Sequence, residues 1–402
     1  MGGRIRLLIL FGTFAVVGIV GYILSLYANG YRFDIDEFAF LPNGLFVIKS
    51  NPDGAQVFIN GELKTATNAT IDLPPGIYDV AVKKEGYGEW NKRLTITKEI
   101  VTEADAHLFK NAPSLSAVTF SGVTGPITSP DFTKIAYLTA TEDEDLSGIW
   151  IMETINLPLG FSREPRKITD GIFTNAKLTW SLDSREILLE SDEGSFILDS
   201  GSFTEPSKLL NIQNQVDIIF NEWAMDEQTR NEARLTSLPV EIADILANKT
   251  SAFIFSPDDS KVLYTANGSA TIPDLIIDPP LPGASTQRQE REISGGRTYI
   301  YDFKEDRNFL IDEDESTLSI KTWQPSDKSR RMFWFATSRH VVLAEEGKIS
   351  IMDLDSTNKR EVYSGAYESP YVLSAPSTDR LLILTNLGAT ESLPNLYSLS
   401  LK

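Results

Sequence analysis

Short runs of Val, Ile, Tyr, Phe and Thr alternate with turns rich in Gly, Pro, Asn and Asp along most of the chain. This pattern predicts short β-strands joined by tight turns, and helical periodicity is nearly absent after the first apolar run. The exception is residues 223–247, which predict one or two short helices inserted between strands. Residues 267–297 are rich in Pro, Gly, Ser and Asp and predict a loop. The expected fold class is all-β with one apolar helix at its N-terminus.

The first apolar run is long enough to cross a bilayer. Residues 7–27 carry no charge over 21 positions, and a helix of that length spans roughly 31 Å, close to the thickness of a hydrocarbon core. Arg4 and Arg6 precede the run, and acidic residues follow it at positions 34, 36 and 37. The positive-inside rule therefore predicts a cytoplasmic tail at 1–6, a transmembrane helix at 7–27 and an extracytoplasmic remainder.

A cleaved signal peptide and a buried core helix are the alternatives for this run. Signal peptides usually have an apolar region of only ~7–15 residues, and the nearest small-residue cleavage site, Leu26-Tyr27-Ala28, has a bulky residue at Leu26. No charge interrupts the run, which disfavours a core helix. An uncleaved signal anchor is therefore expected, in a single-pass protein of the cell membrane.

The composition excludes several classes of function. The formal net charge of −19 argues against nucleic acid as a partner, because phosphate binding needs a basic surface. Cysteine is absent, which excludes disulfides, thiolate catalysis and thiolate metal sites. His107 and His340 are the only histidines, so a His-rich metal site cannot form within one chain. No cofactor or metal ion is expected.

Residues 44–110 predict a small β module, which a linker at 28–43 separates from the apolar helix. Pro-Gly turn signals lie at 51–54 and 73–76. Asn60-Gly61 predicts a hairpin with a type I′ turn, because both central residues of that turn need positive φ. The glycines and prolines of the module are therefore interpreted as turn residues and not as a phosphate-binding loop.

Three segments of this module, 51–61, 73–80 and 84–87, resemble the PEGA domain family in order and spacing. The chain departs from the family at Ala66-Thr67, where the family often has a Gly-Thr-Pro-like turn. The resemblance implies a small β-sandwich of the kind found in envelope proteins of bacteria and archaea. It implies no catalytic role.

A repeated unit follows between residues 111 and 402. Each copy has a Ser-Pro-Asp-like turn, an apolar strand and a further strand rich in Ile, Tyr or Met. The five copies of the turn and apolar strand lie at 128–137, 180–189, 255–264, 334–343 and 374–384. Repeats of roughly 40–50 residues with several short strands are typical of propeller blades, and these copies resemble the TolB-like, or WD-like, propeller family. The resemblance implies a β-propeller of five blades, or six if residues 317–323 begin another.

The two ends of the repeat region predict how the propeller closes. The fifth copy has only three predicted strands before the chain stops at Lys402. Residues 115–120, ahead of the first copy, form a strand that has no partner in its own repeat. We expect this strand to supply the outer strand of the last blade, because the pairing removes an open sheet edge.

The sequence carries no signature of catalysis. It has no Gly-x-Ser-x-Gly elbow, no His-Glu-x-x-His pair and no Walker loop. Ser338-Arg339-His340 lies at a predicted blade turn, where WD-like blades often use a His to hold strands together, so a structural role is predicted. His107 ends the first module and is interpreted as incidental. The acidic clusters at 142–145 and 312–315 lack the glycine and ligand spacing of a Ca²⁺ loop and are predicted to be solvated turns.

The expected function is that of a membrane-tethered, extracytoplasmic binding or scaffold protein of the cell envelope. Its propeller would present one face to an envelope protein or to a cell-wall or surface glycan. The alternative is a propeller-fold glycosidase or lyase that acts on surface polysaccharide through carboxylates in the central channel. A sensor is disfavoured because the cytoplasmic tail is so short. No catalytic, cofactor-binding or metal-binding residue is predicted, and the ligand-binding residues are unknown from sequence.

Overall fold

A computed structural model describes residues 2–28, 30–34, 38–139, 141, 143, 145–155, 164–274, 276, 286–314, 316–320, 329–389 and 392–402. The chain divides into two compact units. Unit 1 comprises Met1–Leu108 and Pro279–Gln287, and unit 2 comprises Phe109–Asp278 and Arg288–Lys402. The division after Leu108 lies close to residue 110, the predicted end of the small module, and the predicted repeat region contributes residues 279–287 to unit 1.

Unit 1 begins with helix α1 (Gly2–Ala28). The stretch Ile9–Ala28 is long and apolar enough to cross a membrane, and none of it is buried in the structure. The segment predicted as a linker contains a hairpin of β1 (Tyr31–Asp34) and β2 (Ala39–Pro42). This local strand pairing was not predicted from the sequence, because the two strands are only four residues long.

Two sheets form the rest of unit 1. Their strands are β3 (Gly44–Asn51), β4 (Gln56–Ile59), β5 (Glu62–Ala66), β6 (Ala69–Leu73), β7 (Gly76–Lys83), β8 (Trp90–Ile96) and β9 (Val101–His107). The sheet orders are β6-β3-β9 and β5-β4-β7-β8. Alternate residues such as Phe46, Val57 and Val82 from both sheets are fully buried in one core, because strand side chains point to opposite faces with a period of two.

The turn between β4 and β5 has the predicted type I′ signature. Asn60 and Gly61 have φ of 50° and 84°, which is the conformation that an Asn-Gly hairpin requires. At the position where the chain departs from the family pattern, Thr67 is buried, and its hydroxyl lies 2.5 Å from that of Ser50. The same hydroxyl accepts a hydrogen bond from the backbone N–H of Ala55, so Thr67 satisfies buried polar groups of the neighbouring strands.

Unit 2 is built from antiparallel strands of two to six residues. They are β10 (Ser114–Ala117), β11 (Thr124–Thr128), β12 (Lys134–Thr139), β13 (Gly148–Glu153), β14 (Arg166–Asp170), β15 (Lys177–Trp180), β16 (Glu186–Ser191), β17 (Gly194–Asp199), β18 (Thr250–Phe255), β19 (Lys261–Ala266), β20 (Ala270–Thr271), β21 (Glu292–Ile293), β22 (Thr298–Asp302), β23 (Arg307–Asp312), β24 (Leu318–Ser319), β25 (Arg330–Trp334), β26 (His340–Glu345), β27 (Lys348–Asp353), β28 (Arg360–Ser364), β29 (Val372–Ser374), β30 (Arg380–Thr385) and β31 (Asn395–Ser400).

The described strands of unit 2 form five successive sheets and one two-stranded ladder. We name them sheet I (β11-β12-β13-β14), sheet II (β15-β16-β17), sheet III (β18-β19-β22-β23), sheet IV (β24-β25-β26-β27-β28) and sheet V (β29-β30-β31-β10). All pairs are antiparallel except β24 with β25, which are parallel. Each sheet contains one copy of the sequence repeat.

The two ends of the repeat region pair in sheet V, as predicted. Strand β10 pairs with β31, with Leu115 opposite Leu399. Leu396 and Leu399 of β31 are both buried, but they belong to different cores: Leu396 packs with residues of sheet I and Leu399 with residues of sheet IV. The strand that precedes the first repeat is therefore an integral part of the last sheet.

Buried cores connect most neighbouring sheets. One core joins sheets I and II, another joins III and IV, a third joins IV and V, and a fourth joins V and I. Sheets I, III, IV and V thus each contribute to two cores, which explains the continuous apolar runs on strands such as β19 and β26.

The helical insertion between sheets II and III begins earlier than predicted. Helix α2 spans Val216–Leu235 and α3 spans Val240–Asn248, whereas the sequence pattern indicated 223–247. Asp217 in the first turn of α2 and Arg234 in its last turn suit the helix dipole, and Pro239 separates the two helices. Three residues of α3 are buried against sheet III, whereas none of α2 is buried.

The predicted loop at 267–297 is partly ordered by sheet III. Strands β20 and β21 form a short ladder, and Arg291 donates a hydrogen bond to the buried carboxylate of Asp306 at 2.8 Å. Tyr301 donates to the same carboxylate oxygen at 2.6 Å. The prediction of a loop is therefore wrong for Ala270–Thr271 and Glu292–Ile293, which form strands, and a buried polar network attaches the neighbouring Arg291 to the sheet.

Candidate functional site

The turns that connect the first two strands of sheets I, II and III share one geometry. Ser129, Ser181 and Ser256 each donate a hydrogen bond to the carboxylate of the Asp two residues later, at 2.6 to 2.7 Å. The residue after each Asp has a positive φ of 54° to 61°. Side-chain bonding of this kind stabilises tight turns, so the Ser-x-Asp pattern explains why the sequence turns at these points.

Neighbouring turns are also bonded to each other. The hydroxyl of Ser184 in sheet II accepts a hydrogen bond from the backbone N–H of Asp131 in sheet I at 3.3 Å. The hydroxyl of Ser338 in sheet IV accepts one from Asp258 in sheet III at 3.1 Å. These equivalent bonds show that the turns of adjacent sheets lie side by side.

Two tryptophans also connect adjacent sheets, through the first strand of each sheet. Trp180 of β15 donates from its indole N–H to the carbonyl of Ile127 on β11 at 3.2 Å. Trp334 of β25 donates to the carbonyl of Ile254 on β18 at 3.0 Å. The first strands of adjacent sheets are therefore neighbours, which is the arrangement expected when sheets radiate from a common axis.

One cavity of about 350 Å³ lies among these turns. Every one of the five sheets contributes turn residues to its lining, for example Pro130, Leu182, Pro257, Ala336 and Pro376. We call it the turn cavity. Because the five sheets are separated along the chain and meet here, the turn cavity marks the point on which they converge.

Aromatic and charged side chains give the turn cavity its chemistry. The rings of Phe132, Phe253, Phe255 and Trp334 line it. Helix α2 adds a mixed polar set: Glu227, Arg230, Asn231 and Arg234. A ligand with both apolar groups and hydrogen-bonding groups would match this lining.

Two arginines attach α2 to the edge of the turn cavity. Arg230 donates a hydrogen bond to the carbonyl of Leu182 at 3.3 Å. Arg234 forms an ion pair with Asp259 at 3.1 Å, and its guanidinium lies 5.1 Å from the ring centre of Phe255. Because α2 buries no residue, these polar and cation–π contacts carry much of its attachment.

The three carboxylates that line the turn cavity differ in whether they have hydrogen-bond or ion-pair partners. Partial burial by itself would raise the pKa of the Asp131 carboxyl, but hydrogen bonds from Ser129 and Thr133 lower that pKa below its usual value. Asp259 is paired with Arg234. Glu227 has no hydrogen-bond or ion-pair partner among the residues that the structure describes. The cavity therefore presents one carboxylate that is not already engaged.

The predicted structural histidine lies away from the turn cavity. His340 is 3% exposed and sits between Thr337 and Asp353, with Nδ1 at 2.7 Å from the Thr337 hydroxyl and Nε2 at 3.2 Å from the Asp353 carboxylate. His340 begins β26 and Asp353 ends β27, directly opposite in register. The equivalent positions of sheet III hold the buried ion pair of Lys261 and Asp302. This repeated position supports a role in holding strands together.

The remaining sequence candidates are dispersed. His107 ends β9 in unit 1. Of the first acidic cluster, Glu142 and Glu144 lie outside the described residues, as does Glu315 of the second. In the described part of the chain, no three His, Cys, Asp or Glu residues are placed to hold a metal ion together.

Sequence reasoning missed one unusual charge, Arg331 on β25. It is 8% exposed, and its Nε has no hydrogen-bond partner among the residues that the structure describes. Burial lowers the pKa of its guanidinium to about 10. The only sequence signal is the Arg330-Arg331 pair at the start of an apolar strand, which does not reveal that the second arginine points into the protein.

These features define the class of protein: a mostly β chain with an apolar N-terminal helix, a small two-sheet module and five further sheets around one cavity. A family model described as the PEGA domain matches residues 43–112, which confirms the resemblance of the small module. A search of curated proteins gave no match.

Solved structures similar to the chain are TolB-like and other β-propeller proteins. A putative TolB from Agrobacterium tumefaciens has 12% identity and a TM-score of 0.22, covering 69% of this chain and 78% of its own. TolB from Acinetobacter baumannii has 13% identity and a TM-score of 0.20, covering 80% of this chain and 60% of its own. The β-propeller domain of the Trilobed protease from Pyrococcus furiosus has 14% identity and a TM-score of 0.21, covering 89% and 95%. Because these scores are low, the functional argument rests on the chain's own geometry.

Proposed function

We propose that this chain is a membrane-tethered, extracytoplasmic binding protein of the cell envelope and that the turn cavity is its ligand site. The observation that carries the proposal is the convergence of turns from all five sheets, together with α2, on one cavity with aromatic and charged lining. Such concave sites with a few polar groups are the usual places for binding.

The proposal includes two finer points of architecture. The five sheets are the blades of a five-bladed propeller, and the two sheets of the small module form a sandwich. Supporting the first point are the cores shared between neighbouring sheets, the single cavity bordered by all five turns and the pairing of β10 with β31. The shared core of unit 1 supports the second.

Helix α1 is the proposed tether. Its stretch Ile9–Ala28 meets the length and composition of a membrane span and is fully unburied, as a lipid-facing helix should be. Arg4 and Arg6 lie on one side of the span and acidic residues on the other, which supports a cytoplasmic N-terminus. The PEGA-like module is consistent with an envelope location.

A peptide segment of an envelope protein is the proposed ligand, with a cell-wall or surface glycan as the other candidate. A cavity of about 350 Å³ accommodates a short segment and not a folded domain. Glu227 and Asn231 can bond backbone N–H groups, Arg230 can donate to carbonyls, and the aromatic rings can contact an apolar side chain.

Site-specific photo-crosslinking in intact cells tests the proposal. We expect p-benzoyl-L-phenylalanine in place of Asn231, which lines the turn cavity, to give a discrete protein adduct. The same residue in place of Ala233, which is exposed on α2 and does not line the cavity, is the matched control and should give none. Identical adducts from both positions, or no adduct from either, would contradict a protein ligand in the cavity.

One observation favours the alternative, a propeller-fold glycosidase or lyase acting on surface polysaccharide. Glu227 is a carboxylate of the turn cavity without a partner among the described residues, as a general acid or base requires. Glycosidases generally need two such groups, whereas Asp131 and Asp259 are both engaged. Polysaccharide cleavage by the purified chain that disappears in Glu227→Gln would favour the enzyme over the binding protein.

A further inference from the structure

Aromatic side chains form a patch directly after α1. The ring centres of Tyr27 and Phe40 are 6.0 Å apart, those of Phe40 and Phe33 are 5.3 Å apart, and those of Phe33 and Phe38 are 5.5 Å apart. Phe38 is 82% exposed, Tyr27 46% and Phe33 40%. We call these four residues the juxtahelical patch. Large exposed apolar surfaces of this kind usually mark an interaction site.

The patch is continuous with the exposed surface of α1. Tyr27 belongs both to the patch and to the apolar stretch Ile9–Ala28, none of which is buried. Only residues 29 and 30 separate that helix end from β1. A surface that binds lipid along α1 therefore extends without interruption onto the hairpin.

Polar contacts hold the hairpin to the small module of unit 1. Arg32 forms an ion pair with Asp72 at 2.5 Å, and the hydroxyl of Tyr31 donates to the carboxylate of Glu99 at 2.7 Å. Arg32 also donates to the backbone carbonyl of Tyr27. These contacts connect the helix end, the hairpin and the module. They therefore fix the position of the aromatic patch relative to the module.

We infer that the juxtahelical patch lies in the headgroup layer of the outer leaflet of the same bilayer that α1 spans. This inference rests on the proposed tethering. Tyr side chains favour the membrane–water interface, Phe side chains of interfacial segments insert at the boundary of headgroups and acyl chains, and the patch begins at Tyr27, the helix residue that would reach that layer. The contact of the patch with the headgroup layer thereby fixes the orientation of the PEGA-like module relative to the bilayer.

The absence of cysteine from the chain allows a direct test with single spin labels. The full-length protein is reconstituted in phospholipid nanodiscs with a label at Phe38→Cys, at Leu24→Cys within α1, or at Glu85→Cys, an exposed turn residue of the module. Collision rates with oxygen, which partitions into lipid, and with a water-soluble nickel chelate are measured by electron paramagnetic resonance.

We expect the oxygen-to-nickel collision ratio at position 38 to lie between the high ratio at position 24 and the low ratio at position 85. Replacing Phe33 and Phe40 by Ser should lower the ratio at position 38 toward that at position 85. If position 38 matches position 85 while position 24 is lipid-exposed, the inference is overturned and the tether stands. If position 24 is also aqueous, the proposed tethering itself fails.

Discussion

Arg331→Met is expected to stabilise the folded protein. Arg331 is buried in β25, its guanidinium lies 5.5 Å from the ring centre of Phe333, and its Nε has no hydrogen-bond partner. No ion pair involves it in the described part of the chain. A buried charge without a partner costs free energy, whereas an apolar side chain of similar length can fill the same space without that cost.

The size of the effect follows from the pKa of the guanidinium. Burial lowers that pKa from the ordinary value of an arginine to about 10, and each pKa unit corresponds to about 1.4 kcal/mol. The buried charge of Arg331 is therefore destabilising by on the order of 3 kcal/mol near neutral pH. Because this folded-state pKa lies below the unfolded one, the cost is fully present below pH 10 and decreases as the pH rises through 10 toward 12.

Urea unfolding of the full-length chain in detergent, followed by tryptophan fluorescence, measures this effect. Arg330→Met is the matched control, because Arg330 is paired with Asp312 and Glu345. Its removal should destabilise the protein by roughly 2 kcal/mol, since it leaves charged acceptors without a donor. If Arg331→Met destabilises the protein as much as Arg330→Met does, Arg331 has an anionic partner in solution and the reasoning is wrong.

Three further substitutions test the propeller and its helix. Partial burial alone would raise the pKa of the Asp258 carboxyl, but hydrogen bonds from serine hydroxyls and a backbone N–H of its own turn lower that pKa to about 2. The stability lost in Asp258→Asn relative to wild type should therefore be present above pH 4 and vanish as the pH falls toward 2. Urea unfolding across that pH range measures this loss. Leu396→Ala should lower the free energy of unfolding by about 2–5 kcal/mol, because Leu396 is fully buried. Leu387→Ala is the control and should change it little in the same assay, because Leu387 is 57% exposed. Equal losses of stability would contradict the packing of β31 between sheets I and IV. Arg234→Ala should accelerate amide hydrogen exchange in α2 and leave the sheets protected; unchanged exchange in α2 would show that its arginine contacts do not hold it.

The strand repeat and the pairing of the two ends of the repeat region could be predicted from the sequence because both depend on local signals. Ser-x-Asp turns bond within three residues, so their sequence alone specifies their geometry. The strand predicted at 115–120 was identified because its own repeat lacked a place for it, and the observed strand β10 at 114–117 pairs with β31. The fifth turn shows the limit of the pattern: Ser377 bonds Asp379, but neither occupies the position of its counterparts in sheets I to III.

The composition of the turn cavity could not be predicted, because it depends on contacts between distant segments. Arg234 meets Asp259 and Arg230 meets Leu182 only after α2 has folded back over the turns. Nothing in the local pattern of α2 distinguishes these arginines from solvated ones. The burial of Arg331 is equally invisible, since strand alternation alone does not tell which face of β25 meets sheet V.

The difference between paired and unpaired polar groups gives the proposed binding site a physical basis. Buried polar pairs such as Lys261 with Asp302 and His340 with Asp353 occupy the same register position of their sheets, so they hold the strands together and have no capacity left for a ligand. Glu227 has no such partner in the described structure, and it lies where all five sheets converge. Charges that the fold does not satisfy internally remain able to bind something else. A ligand of this protein should therefore depend on Glu227 and not on the buried pairs.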